Sequence, residues 1–138
     1  IQDIFVAGKK IAYLADRKLS YKNLETLPVM CLEGNTSTRA YVEGFLRENS
    51  VHLQPEFELA TSDMLIRFAM RGFGIAGVAE DFALEAMEKG EIFRLHFDRE
   101  IPKRHFCIVT DEKVPMTAAA RRFLDLLEDK CTSDKNKT

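Results

Sequence analysis

The stretch from Thr61 to Val78, TSDMLIRFAMRGFGIAGV, leaves a folding chain few choices. Thr61 or Ser62 can accept a hydrogen bond from the free amides of a helix's first turn, and Asp63 complements the positive helix end. Met64, Leu65, Phe68 and Ala69 then recur on one face, Arg67 and Arg71 suit the negative helix end, and Gly72 stands where a left-handed cap is wanted. Gly74 to Val78 follows as a short apolar run of small side chains, the pattern of a strand covered on both faces. The same glycines spell G-x-G-x-x-G from Gly72 to Gly77, but a dinucleotide fingerprint needs a strand before the first glycine and a helix after the last. Here the order is reversed, and Gly72 is better read as a helix cap.

The rest of the chain repeats this grammar. Ile4 to Ala7 is a strand-like run that needs neighbours to cover it; with no initiator Met, the chain is expected to be an excised fragment. A polar connector follows Gly8, and Ser20 caps a short helical stretch through Leu24 and Leu27, ended by Pro28. Pro28 to Leu32 is a continuous apolar run, the signature of a central parallel strand. Thr36, Ser37 and Thr38 offer hydroxyls to a helix whose core face is Tyr41, Val42, Phe45 and Leu46. A strand is expected over Glu56–Ala60 and a helix over Glu80–Lys89, with Phe82, Ala83, Ala86 and Met87 inward and Gly90 as its stop. Ile92–Phe97 reads as a more exposed strand and Asp98–Arg104 as a charged connector. His105–Val109 reads as a last strand, and Pro115 opens a closing helix with Ala119, Phe123, Leu126 and Leu127 inward. The tail beyond Lys130 is polar.

Strands alternating with helices from Pro28 to Lys89 imply an α/β fold, a mainly parallel sheet flanked by helices. At 138 residues and 46% hydrophobic content the chain can bury one sizeable core. Its 20 basic and 22 acidic side chains give a net charge of −2, without the basic excess that grips phosphate backbones, so no DNA binding by this chain itself is expected. No apolar run approaches a membrane span and no leader opens the sequence, which gives an expectation of a cytoplasmic chain without membrane contact. Cys31, Cys107 and Cys131 have neither metal-ligand spacing nor an even count for a disulfide framework; Cys31 and Cys107, inside apolar runs, read as buried reduced thiols. No metal or cofactor is implied. Catalysis finds little support either: Ser62-Asp63 has no histidine nearby in sequence, and His52, His96 and His105 are scattered.

Right-handed crossovers bring the helix starts that follow successive parallel strands to one edge of the sheet, where ligands bind in folds of this class. Thr36-Ser37-Thr38 and Thr61-Ser62 stand at two of those starts, and bare helix-start amides favour anions. The third start, near Glu80-Asp81, is acidic and would repel one. Hydroxyls in such places are helix caps first, so capping and ligand binding are both open for each cluster. Arg39 could face a ligand or solvate a helix face.

Asn35-Thr36-Ser37-Thr38-Arg39 after a strand, Thr61-Ser62 opening a helix that ends in Gly72-Phe73-Gly74-Ile75-Ala76, and Val114 to Leu124 with its Pro115-Met116-Thr117-Ala118 start together resemble the effector-binding domain of LysR-type transcriptional regulators. The resemblance runs to about Asp129, and one departure is Ala79, where many members carry a proline. It implies a periplasmic-binding-protein-like (type II) lobe. On that reading residues 1–130 are an effector-binding domain fragment comprising the second lobe (16–104), hinge strands near Ile4–Ala7 and Phe106–Val109, and a final helix (115–129), with residues 131–138 as a polar tail. Together with the helix-start reading above, it leads to the expectation of a small, anionic effector held by Thr36, Ser37, Thr38, Arg39, Thr61 and Ser62. DNA would be bound only through an absent N-terminal winged helix-turn-helix, and the full-length protein would assemble as a dimer or tetramer. Apolar surface should be exposed on the final helix and the hinge strands. A lobe of a transport solute-binding protein shares the fold, but the cysteines and the lack of an export signal count against it.

Overall fold

The computed structural model describes residues 1 to 135, with side-chain surroundings through residue 127. Its chain forms two compact units, Ile1–Phe106 and Cys107–Thr138. The first contains the strands β1 (Asp3–Gly8), β2 (Lys18–Leu19), β3 (Val29–Leu32), β4 (Phe57–Leu59), β5 (Ile75–Ala79), β6 (Ile92–Arg94) and β7 (His96–Phe97). Its helices are α1 (Ser37–Glu48), α2 (Ser62–Met70) and α3 (Glu80–Glu88), with short 3-10 segments at Lys9–Leu14 and Tyr21–Glu25. The second unit holds α4 (Ala118–Lys135). No described helix is long and apolar enough to cross a membrane.

Five strands form one mixed sheet in the order β4-β3-β5-β1-β6. β4, β3 and β5 are mutually parallel, while β1 runs antiparallel to both β5 and β6. Only β1 therefore runs against the common direction. The order follows from the apolar runs: β1 is buried along its whole length, with Ile4 and Val6 in one layer and Phe5 and Ala7 in the other. A strand apolar on both faces needs helices or loops above and below it. Val42 and Leu46 of α1 cover the Phe5 and Ala7 layer with Leu24, Cys31 and Ile75, and Leu65 and Ala69 of α2 and Ala83 of α3 cover the Ile4 and Val6 layer with Met30 and Val78. In the register Phe5 faces Gly77, and a Cβ there would stand 3.1 Å from the Phe5 ring.

Several local expectations are corrected. The core face of α2 is rotated: Ile66 is buried beside Leu65 and Ala69, while Met64 is 41% exposed. On α3, Ala83 and Ala86 face inward but Phe82 is exposed. The connector after Gly8 buries Ile11 and Leu14, and β2 beyond it pairs in parallel with β7 in a separate two-stranded sheet. This takes the far end of the Ile92–Phe97 run away from the main sheet, with the Leu95 amide donating to the Phe5 carbonyl at the break.

The strand expected over His105–Val109 does not form. Ile1 and Arg104 exchange two hydrogen bonds of 2.7 and 3.0 Å, and from His105 to Thr110 the chain is irregular and exposed. Strand propensity makes a strand only where a neighbour offers its edge, and β1, whose start Arg104 adjoins, already has both edges filled by β5 and β6. The expected apolar exposure is therefore absent from Ile4–Ala7, which is interior, and present at Phe106, Ile108 and Val109. Cys107, expected to be buried, is exposed for the same reason; Cys31 is buried and Cys131 lies outside the described side chains. The closing helix starts at Ala118, with the Thr117 hydroxyl accepting from the Ala120 amide. Ala119, Phe123 and Leu126 on it are exposed rather than inward, and Leu127 is half-buried. α4 continues to Lys135, into the stretch read as a tail, whose last residues, 136–138, lie outside the described ones.

Candidate functional site

The carboxyl ends of β4, β3 and β5 open on one edge of the sheet, and β1, being antiparallel, begins there. α1, which follows β3, and α3, which follows β5, lie on opposite faces of the sheet and lead to strands on opposite sides, so β3 and β5 flank a topological switch point. The loops to α1 and α2 touch: the Glu33 amide donates to the Leu59 carbonyl over 3.1 Å. Thr36-Ser37-Thr38 and Thr61-Ser62 are thus brought to neighbouring positions on one rim.

Their hydroxyls do different work. Thr36 is the N-cap of α1: its Oγ1 accepts from the Arg39 amide over 3.2 Å and donates to the Glu33 carbonyl over 3.0 Å. Thr61 is the N-cap of α2 and accepts from the Met64 amide over 3.3 Å. Both are structural caps whether or not they also meet a ligand. Ser37 is exposed and Ser62 half-buried, and neither hydroxyl is engaged with another described residue. The amides of Ser37 and Thr38, in the first turn of α1, likewise have no intrahelical acceptor. No acidic residue stands in that turn, whereas α2 carries Asp63 and α3 carries Glu80 and Asp81 in theirs. The start of α1 is therefore the one most favourable to an anion.

Arg39 turns inward. It is 7% exposed, donates from Nη1 to the Leu32 carbonyl over 2.8 Å, and is paired with Glu43 at 2.7 Å and Glu58 at 3.0 Å. Burial works against its charge, but the two carboxylates more than offset that and hold its pKa above the ordinary value. It ties α1 to β3 and β4, and does not join the hydroxyls at the rim.

A different arginine does. Arg104 donates from Nε to Asp3 Oδ2 over 2.6 Å and from Nη2 to Asp3 Oδ1 over 3.0 Å, a two-pronged pair with a carboxylate that is 2% exposed. Nη2 also reaches Thr38 Oγ1 at 2.7 Å, and the guanidinium lies 5.6 Å from the centre of the Tyr41 ring. Tyr41 in turn donates to the Pro102 carbonyl over 3.0 Å. Neither Asp3 nor Arg104 stands out in the sequence: one precedes an apolar strand, the other ends a charged connector, and 101 residues separate them. Only the antiparallel placement of β1 brings them to one edge.

Two concavities lie nearby. A cavity of about 50 Å³ bounded by Asp3, Tyr21, Arg94 and Glu100 has room for a water or two. A groove of about 340 Å³ between α2 and α3 is lined by Ile66, Met70, Phe82 and Ala86 with charges of both signs around them. Neither is lined by the hydroxyl clusters. Among the described residues no group of three or more His, Cys, Asp and Glu side chains is placed to hold a metal ion.

The family model of the LysR substrate binding domain matches residues 4–132 of the sequence. No curated protein matches it significantly. Among solved structures, the chain is similar to the regulatory domain of CcmR from Synechocystis PCC6803, solved in complex with 2-PG, at 17% identity and a TM-score of 0.79 over 91% of this chain and 61% of that one. It is similar to the effector binding domain of QuiR in complex with shikimate at 8% identity and a TM-score of 0.69, over 90% and 58% of the two chains. HinK, a LysR family transcriptional regulator from Pseudomonas aeruginosa, gives 15% identity and a TM-score of 0.67 over 94% and 44%. The chain thus spans less than two thirds of the length of each of these structures. At such identities the likeness is one of fold: a type II periplasmic-binding-protein-like α/β domain.

Proposed function

The chain belongs to the LysR substrate binding domain family, and on that premise we propose that it senses a small anionic effector at the rim where α1 and α2 begin. Ser37, Thr38 and Ser62 face the effector, with Thr36 and Thr61 as caps that hold the rim in shape and Arg39 as its internal brace. The observation that carries this reading is the start of α1, whose free amides and hydroxyls stand at the switch point of the sheet with no carboxylate in the first turn. That two domains of similar fold were solved with small molecules, 2-PG and shikimate, supports a small-molecule ligand.

In the complete regulator this chain supplies the second lobe (16–104), with a hinge and a final helix (115–129), and residues 131–138 as a polar tail. Effector binding controls the grip of an N-terminal winged helix-turn-helix on DNA in a cytoplasmic dimer or tetramer. A ligand can do this only by binding two states of the protein unequally. The role is regulatory binding, with no catalysis.

Calorimetric titration of shikimate and inorganic phosphate tests the reading, in this chain and in the complete regulator. Ser37→Ala combined with Ser62→Ala removes two ligand-facing hydroxyls and leaves the caps of Thr36 and Thr61 intact. Affinity should fall by roughly 0.5–1.5 kcal/mol per hydroxyl, with unfolding temperature nearly unchanged. Unchanged affinity for a bound anion in the folded double variant would overturn the assignment of the rim.

A further inference from the structure

We infer that Arg104 is the residue that makes this rim selective for a carboxylate or phosphate over an uncharged ligand of the same shape. The inference rests on the reading of the rim as an anion site and names the group that reads the anion. A guanidinium has two edges that can each form a pair of parallel hydrogen bonds. On Arg104 the edge made by Nε and Nη2 is filled by Asp3, which is buried and cannot be displaced without leaving a charge unpaired. The plane of the group is thereby fixed.

The second edge, made by Nη1 and Nη2, is only half used. Nη2 donates to Thr38 Oγ1, and Nη1 has no hydrogen-bond partner among the described residues. Because Thr38 Oγ1 accepts that bond, its own proton is free to be donated elsewhere. Arg104 Nη1–H, the Thr38 hydroxyl proton and the Thr38 amide are then three donors at the start of α1, with an oriented cation behind them. The pair with Asp3 leaves Arg104 with little net charge to attract ions at long range, so selection works through directed hydrogen bonds at contact. A neutral amide in place of a carboxylate presents one acceptor and a clashing donor to the same group, and is rejected.

Arg104 also ends the segment in which Gln2 donates to the Ile101 carbonyl, over 2.7 Å, and Ile1 exchanges backbone bonds with Arg104 itself. The residue that meets the anion is thus fastened to both the first strand and the connector beyond β7.

The test uses nitrogen-resolved NMR titration of this chain with succinate, its neutral diamide and inorganic phosphate. Succinate and phosphate should move the amide signals of Ser37 and Thr38 and the Arg104 Nε–H signal in a saturable way, and succinamide should not. Arg104→Lys keeps the charge and loses the fork, and should weaken succinate by about tenfold, the lower range for a hydrogen bond to a charged group. Thr38→Val leaves the pair with Asp3 intact, so it remains informative if Arg104→Lys fails to fold, and it should erode the preference for succinate over the diamide. Saturable anion binding at Ser37 and Thr38 that neither variant weakens would overturn the role of Arg104 while leaving the rim as the anion site. Absence of any saturable shift at Ser37 and Thr38 would overturn both.

Discussion

Burial pushes the Cys31 thiol up to about 11, with Arg39 drawing it back and Glu43 and Glu58 adding to the rise. In the unfolded chain the thiol ionises near its ordinary value of 9.0. Between these values the folded protein keeps a proton that the unfolded chain has released, so this contribution to stability is complete below pH 9 and is lost as pH rises towards 11. Denaturant titrations at several pH values should show a shallower alkaline loss of stability for Cys31→Ala than for the unsubstituted chain. Alkylation at pH 8 followed by peptide mapping should modify exposed Cys107 long before Cys31; comparable rates would contradict the burial of Cys31. At this scale the caps were legible in advance, because a Thr followed by helical spacing acts on amides only three residues away. The Asp3–Arg104 pair was not legible, since its partners meet only through the sheet. Arg39 shows the same limit: its position in the helix was readable, but its inward turn depends on Glu58 of a neighbouring strand.

Elements were legible where their signals are local. α2 and β5 appear where Thr61, Gly72 and the small apolar run place them, and Gly72 has a φ of +77°, the left-handed conformation a helix stop requires. The missing strand at His105–Val109 shows what such signals lack, which is knowledge of the neighbour a strand would have to pair with. Close packing of elements leads to a prediction about two glycines. At Gly8, where β1 passes under the end of α2, an added Cβ would stand 2.1 Å from the Ala69 carbonyl oxygen, a backbone atom that cannot yield without moving the helix. At Gly44, inside α1, an added Cβ would meet nothing within 4 Å. Gly8→Ala should therefore destabilise the fold by about 1–3 kcal/mol, and Gly44→Ala should stabilise it by about 0.5–1 kcal/mol. Urea unfolding of both variants checks the pair, and equal effects would mean that β1 and α2 are not packed at this distance.

For the whole molecule, the distribution of apolar side chains decides what the chain does in solution. The sheet and its helices bury their apolar residues well, and no buried polar side-chain atom among the described residues lacks a hydrogen-bond partner. The stretch after Arg104 behaves otherwise: Phe106 is 82% and Val109 90% exposed, and Ile108, Val114 and Phe123 are each more than half exposed. Scattered exposed apolar residues are ordinary, but several within one short stretch form a surface that water disfavours. Association that covers them gains stability in proportion to the area removed from water. Sedimentation velocity across a wide concentration range should accordingly show reversible self-association of the 138-residue chain. Phe106→Ser combined with Val109→Ser should shift the equilibrium towards monomer without lowering the unfolding temperature, because neither side chain is packed in the described fold. A chain that stays strictly monomeric at every concentration would show that these residues are covered within the molecule itself. The irregular, exposed course of His105–Thr110 would then have to be abandoned, and with it the account of why that strand does not form.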